Sequence, residues 1–244
     1  MEESKIKEIV KEKYAKSTTT GLCCCKGGCD KISSEIGYSE EERSAVPEAN
    51  LGLGCGNPTR LIELKEGDVV VDLGSGAGMD AFIAAKKVGA TGKIIGIDVT
   101  EEMIAKAKEN AEKYSFTNCE FILADIEDIP LESNTADVIL SNCVINLAPS
   151  KEKVFSEAFR ILKPGGTLCV SDIVLLEELT PEQRSDPELI ASCVGGALLK
   201  DHYISIIEHA GFVIKKMDED KDISKKQYEG KNLESLKVVA KKPE

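Results

Sequence analysis

Hydrophobic positions along this chain follow two periods, and the change from one to the other marks the elements. Val69, Val70 and Val71 form a β-branched run that ends in Asp72 and then in glycines at alternate positions, Gly74, Gly76 and Gly78. Such a run suits a strand buried on both faces, and the glycines let the backbone turn and lie close to a ligand. The period then lengthens, so Asp80 to Val88 predicts a helix whose N-terminus points back at that ligand. Lys93 to Asp98 predicts a second strand ending in an acid, and Thr100 to about Tyr114 a second helix. Cys119 to Ala124 predicts a third strand, followed by Asp125, Ile126 and Glu127. Ala136 to Ser141 predicts a fourth, running into Asn142 and Cys143. A helix from Lys151 to Leu162 should stop at Lys163-Pro164-Gly165-Gly166, with a fifth strand from Thr167 to Asp172.

The ends of the chain read differently. Ile6, Ile9, Val10 and Tyr14 recur at helical spacing among charges, so Glu3 to Lys16 predicts a surface helix. Ser17 to Asp30 has no periodicity and reads as a flexible loop carrying Cys23, Cys24, Cys25 and Cys29. Ser39 before three glutamates predicts an N-cap and a short helix. Asn50 to Pro58 is a glycine-rich loop around Cys55, and Thr59 to Leu64 a short helix. From Leu175 to Lys200 an acidic turn and two short helical stretches suggest a lid, before a helix over Asp201 to Ala210. Strands from Gly211 to Lys216 and from Leu236 to Ala240 follow, with a polar, linker-like loop over Lys221 to Lys231.

Alternating strands and helices of this kind predict an α/β fold. The expected form is a doubly wound, Rossmann-like, seven-stranded, mostly parallel sheet with helices on both faces and the last strand antiparallel. The expected division is residues 1–58 as an N-terminal helix with cysteine-bearing loops and 59–244 as the catalytic domain, with the lid inserted at about 174–200. At 244 residues the chain can bury a sizeable core.

A net charge of −12 argues against binding a phosphate backbone. No apolar run reaches the length of a membrane span, and Met1 to Lys16 is charged throughout, unlike a signal peptide. The expectation is a soluble cytoplasmic protein with a small-molecule substrate and neither nucleic acid nor membrane as partner. Nine cysteines in such a compartment stay reduced, which directs attention to metal or catalytic chemistry. Cys119 and Cys169, at and within strands, read as core residues. The run Cys23 to Cys29 lacks the paired spacing of a structural zinc site. His202 and His209 share one helical face and read as structural or solvated.

The loop Gly74-x-Gly76-x-Gly78 departs from the G-x-G-x-x-G dinucleotide spacing, and Asp72 before it favours a ligand with a cationic end. Asp98, twenty-six positions further on, falls where a doubly wound fold places the acid that accepts ribose hydroxyls. The pattern resembles motif I of the class I S-adenosylmethionine-dependent methyltransferases. Three further stretches narrow the resemblance: Asn50-Leu51-Gly52-Leu53-Gly54-Cys55-Gly56-Asn57-Pro58, Ser141-Asn142-Cys143-Val144-Ile145-Asn146-Leu147 and Ala191-Ser192-Cys193-Val194-Gly195-Gly196-Ala197-Leu198. These resemble the three cysteine motifs of the arsenite S-adenosylmethionine methyltransferases, over nearly the whole chain.

The resemblance implies that Cys143 and Cys193 bind trivalent arsenic. Cys55 would join them as third ligand or redox partner, together with one of Cys23, Cys24, Cys25 or Cys29. It implies S-adenosyl-L-methionine as cofactor, held by Asp72, Gly74, Ser75, Gly76, Gly78, Asp98, Val99, Met103, Asp125, Ile126, Glu127 and Asn142. Arsenite or its thiol adducts would be the substrate, with glutathione or thioredoxin as reductant. The chemistry agrees, since soft trivalent arsenic prefers thiolates. Two other classes compete. A quinone-type C- or O-methyltransferase would leave the three thiol motifs without a common purpose, and a non-catalytic metalloid sensor would have no need of Asp72, Gly74, Gly76 and Asp98.

Overall fold

In the computed structural model the residues described are 2–20, 28–228 and 230–244. The strands are β1 (Val69–Leu73), β2 (Lys93–Asp98), β3 (Cys119–Leu123), β4 (Ala136–Asn142), β5 (Leu162–Leu175), β6 (Val213–Asp220) and β7 (Leu233–Lys241). They form one sheet in the order β3-β2-β1-β4-β5-β7-β6. β1 to β5 are mutually parallel, whereas β7 runs antiparallel to both its neighbours. The chain winds outward from β1 to β3 and then crosses back to lay β4 against the other side of β1. That reversal opens a crevice at the carboxyl ends of β1 and β4, where doubly wound sheets bind ligands.

Ten helices surround the sheet among the described residues: α1 (Glu3–Thr20), α2 (Cys29–Glu35), α3 (Glu40–Ala45), α4 (Met79–Val88), α5 (Glu101–Lys113), α6 (Lys151–Ile161), α7 (Pro181–Arg184), α8 (Pro187–Ala191), α9 (Lys200–His209) and α10 (Ile223–Gln227). Phe82 of α4 and Ile104 of α5 pack with Val70, Ile94 and Leu140 on one face. Phe155 of α6 and Tyr203 of α9 pack with Val71, Ile139 and Val170 on the other. Burying each such side chain contributes about 1.5–3 kcal/mol. A third apolar cluster lies above the crevice and joins Val10 of α1, Ile190 of α8 and Ile223 of α10 to Cys55, Cys143 and Cys193.

Several expectations need correction. α1 runs on to Thr20 and Cys29 opens α2, so the segment from Ser17 to Asp30 is not one continuous loop. Cys23, Cys24 and Cys25 lie outside the described residues. Thr59 to Leu64 is not a helix; only a single 3₁₀ turn forms at Pro58–Arg60. The run Lys163 to Gly166 does not separate α6 from the next strand. Leu162 pairs with Ala136 directly after α6, and a register shift absorbs Pro164 and Gly165 before Val138 pairs with Thr167. Pro164 lacks an N–H for the ladder, which accounts for the irregularity. The polar loop over Lys221 to Lys231 contains α10, with Ile223 fully buried. Ser39 does cap α3, in a reciprocal capping box with Glu42.

Candidate active site

The loop after β1 turns over the end of the sheet. Gly74 has φ 69°, and a Cβ there would meet Val144 at 2.4 Å, so only glycine lets this backbone lie against the segment that carries Cys143. The Gly76 amide donates to Asp98 Oδ2 at 2.9 Å and the Thr100 amide to Oδ1 at 2.9 Å, which fixes the acid at the end of β2. Burial raises the Asp98 pKa above the usual carboxylate range.

A cavity of about 770 Å³, part of it open to solvent, runs along these carboxyl ends. Gly74, Gly76, Asp98, Val99, Met103, Asp125, Ile126 and Asn142 all line it. Asp72 and Ser75 line a second cavity that shares Gly74, Gly76, Leu53 and Asn142 with the first. Gly78 and Glu127 line neither. Gly78 instead packs where a Cβ would strike Phe82 at 2.6 Å, and Glu127 pairs with Lys7 and accepts the Ser150 amide. Lys7 also bonds Asp125 Oδ2 at 2.7 Å, so α1 straps down the outer end of the cavity.

The inner end is acidic. Asp72 and Asp80 are 2% and 7% exposed. Burial and the charges of Asp80 and Asp98 hold Asp72 well above the ordinary carboxylate range; burial likewise pushes Asp80 up to about 6. Asp72 Oδ2 has no hydrogen-bond partner among the described residues. Tyr38 donates to Asp80 Oδ1 at 2.7 Å, and Asn142 Nδ2 donates to Asp80 Oδ2 at 3.1 Å.

These features fit S-adenosylmethionine. The cavity joins the glycine loop to Asp98 and Asp125 across the carboxyl ends of the strands, where doubly wound sheets bind nucleosides, and a Cβ at Gly76 would meet only Met103 Sδ, at 4.0 Å, so the loop leaves room there. Paired buried carboxyls, one of them with an oxygen left unpartnered among the described residues, suit the cationic amino-acid end.

The thiols meet at the boundary of this site. Cys55, Cys143 and Cys193 are 1%, 4% and 3% exposed. Cys55 Sγ, Cys143 Sγ and an Asp172 carboxylate oxygen lie within 4.8 Å of one another. Cys193 Sγ donates to the Cys143 carbonyl at 2.8 Å. Hydrogen bonds from the Cys193 and Cys55 thiols, then burial, raise the Cys143 pKa well above that of a free thiol. Cys143 and Cys193 both adopt left-handed backbone, φ 61° and 66°, a conformation uncommon for non-glycine residues. Cys143 lines both the nucleoside cavity and a third cavity bordered by Cys193, Tyr14 and Tyr228.

Sequence reasoning missed several of these neighbours. Tyr14 Oη lies 3.9 Å from Cys193 Sγ, and Tyr228 Oη 3.8 Å from Cys143 Sγ. Asp172 is fully buried, accepts from Asn146 and Tyr203, and is pushed up to about 7 by burial. Asp80 follows the glycine loop directly and carried a readable signal; the tyrosines carried none. Cys169 is fully buried, as expected for a core thiol, whereas Cys119 is only half-buried at the start of β3; burial raises both pKa values, that of Cys119 to about 12.

The comparisons with known proteins agree with this geometry. Residues 64–211 match the family model described as a methyltransferase domain. The chain is 37% identical to the arsenite methyltransferase of Halobacterium salinarum, over 97% of this chain and 66% of that protein. It is 40% identical to the arsenite methyltransferase of Aquipseudomonas alcaligenes, over 89% of this chain and 65% of the relative. It therefore spans just under two thirds of the length of these curated relatives. A solved arsenic(III) S-adenosylmethionine methyltransferase from Chlamydomonas reinhardtii superposes with a TM-score of 0.65 at 30% identity, covering 87% of this chain and 73% of that one. On its sheet order, its glycine loop and these matches, the chain belongs to the arsenite methyltransferase family of S-adenosylmethionine-dependent methyltransferases.

Proposed function

We propose that this chain transfers the methyl group of S-adenosylmethionine to trivalent arsenic held by Cys55, Cys143 and Cys193. The observation that carries the reading is that three buried thiols from three separate segments gather around Cys143: Cys55 Sγ lies within 4.8 Å of Cys143 Sγ, Cys193 Sγ bonds the Cys143 carbonyl at 2.8 Å, and Cys143 also lines the nucleoside cavity. An ordinary carbon or oxygen acceptor would give the thiols no shared task. The names of the relatives support the same substrate.

When bound, S-adenosylmethionine supplies an electrophilic methyl group on a sulfonium centre. Arsenite enters as substrate, and its hydroxyls leave as water with the thiol protons while three As–S bonds form. The three thiolates hold arsenic as a pyramid whose lone pair is the nucleophile. That lone pair would form the new As–C bond as the S–CH3 bond of the sulfonium breaks, its electron pair staying on sulfur in the departing S-adenosylhomocysteine, and arsenic would become formally pentavalent. Holding both reactants in contact can supply up to about 7–11 kcal/mol of the barrier. No general base is needed at the methyl group, in keeping with two histidines that both lie exposed on α9. The segment between β5 and α9 acts as a lid that carries Cys193.

Restoring trivalent arsenic takes two electrons. One of Cys23, Cys24, Cys25 or Cys29 forming a disulfide with Cys55 supplies them, and glutathione or thioredoxin reopens that disulfide by exchange. The cytoplasm provides the reducing conditions this cycle requires. Cys143→Ser and Cys193→Ser test the reading separately. Each is expected to abolish arsenite binding and methylation while S-adenosylhomocysteine, titrated without arsenite, still binds, because neither change touches the glycine loop or Asp98. Wild-type methylation of arsenite by both variants would refute it.

A further inference from the structure

We propose that Asp80 receives the α-ammonium group of the cofactor's amino-acid end and, through Asn142, couples occupancy of that position to the grip of the Cys55 loop on arsenic. The inference rests on the arsenite reading above and extends it to a device that the glycine loop and the cysteine motifs do not assign.

The acidic cavity is lined by two buried carboxyls, Asp72 and Asp80, and Lys87, the cation whose charge acts on Asp80, spends its ammonium on the Thr59 carbonyl at 2.8 Å. Asp72 Oδ2 lacks any hydrogen-bond partner among the described residues. Buried acids in this arrangement call for a cation.

Asn142 connects this cavity to the thiols. Its Oδ1 accepts the Cys55 amide at 3.1 Å. Its Nδ2 lies within bonding distance of three acceptors: Asp80 Oδ2 at 3.1 Å, Tyr38 Oη at 2.9 Å and the Gly56 carbonyl at 2.8 Å. An amide nitrogen carries only two hydrogens, so one acceptor is always short of a donor. The loop backbone is pressed directly onto this amide, since a Cβ at Gly54 would lie 2.8 Å from Nδ2. An ammonium that takes over Asp80 Oδ2 ends the competition. Both Nδ2 hydrogens then settle on Tyr38 and on the Gly56 carbonyl, and Cys55 is clamped on both sides by one side chain. Asp80 is thus a positioning residue for the arsenic ligand as well as a contact for the cofactor.

Calorimetric titration of arsenite into the full chain, with a phosphine rather than a thiol as reductant, reads this coupling. The titration is run alone, with saturating S-adenosylhomocysteine, and with a saturating analogue that lacks the α-amino group. In the wild type, S-adenosylhomocysteine is expected to tighten arsenite binding about tenfold, within the usual range for coupled sites, and the deaminated analogue to leave it unchanged. In Asp80→Asn the ratio of affinities with and without S-adenosylhomocysteine is expected to fall to about one. Equal tightening by the deaminated analogue, or tightening retained in Asp80→Asn, would overturn the proposal. The analogue arm uses wild-type protein and decides the matter even if the variant fails to fold. Loss of arsenite binding in every arm would instead overturn the arsenite reading itself, and this inference with it.

Discussion

At the scale of single residues, the site depends on groups held in states they would not choose alone. Cys143 and Cys193 sit in left-handed backbone, and Asp72 and Asp80 are buried as a pair. Asp80 gives these states a pH signature. Its folded pKa, about 6, lies above the value near 3.9 expected in the unfolded chain. Between those values the folded chain holds a proton that the unfolded chain has released, so raising pH through that window lowers stability. A cationic ligand favours the ionised acid, so the sign for binding is the reverse. S-adenosylhomocysteine affinity is expected to fall by up to about tenfold per pH unit as pH drops below about 6. Titrations from pH 5 to 8 check this, with the step near pH 6 expected to vanish in Asp80→Asn and only the dependence owed to Asp72 to remain. The same profile in wild type and Asp80→Asn would remove Asp80 from the binding step. Asp80 was legible as the acid that follows the glycine loop, but its burial beside Asp72 was not, because an aspartate in a first helical turn reads equally as a complement to the helix dipole.

At the scale of elements, the strands and principal helices were legible because each keeps one period from end to end. β2 matches its expected limits at Lys93 and Asp98, since an unbroken apolar run ends in a turn at both sides. What escaped was set by docking rather than by period. α1 reads from its pattern as a surface helix, yet Lys7 and Tyr14 bring it over the cavity mouth. Tyr228 sits beyond α10 in a stretch too polar to suggest that it reaches Cys143. The segment carrying Cys193 is held in the same way. Gly196 passes so close to the Asn146 carbonyl that a Cβ would fall 2.0 Å from it, while the Leu175 amide bonds the Leu198 carbonyl at 2.8 Å. Gly196→Ala must therefore displace this segment, at a cost of about 1–3 kcal/mol. It is expected to weaken arsenite binding at least tenfold while S-adenosylhomocysteine still binds, as parallel titrations would read. Unchanged arsenite affinity would mean that Cys193 is not positioned by this contact.

At the scale of the whole molecule, one topological reversal gathers everything the chemistry needs. β1 and β4 are neighbours in the sheet but far apart in the chain, so the glycine loop after one and Cys143 after the other emerge side by side. The Cys55 loop is held at that edge by Asn142, which accepts the Cys55 amide at 3.1 Å, and is pinned to β7 by Ser235, which donates to the Cys55 carbonyl at 2.8 Å. The family was legible from the three cysteine motifs. The convergence itself was not, because residues 55, 143 and 193 meet only after the sheet has formed. Incubation of the full chain with arsenite, a dithiol and methyl-labelled S-adenosylmethionine, followed by chromatographic speciation of arsenic, tests the central claim most directly. The account predicts label in methylated arsenic, formed in step with S-adenosylhomocysteine and absent when arsenite is omitted. S-adenosylmethionine bound by the protein under these conditions, with all arsenic recovered as unlabelled inorganic arsenite, would contradict it.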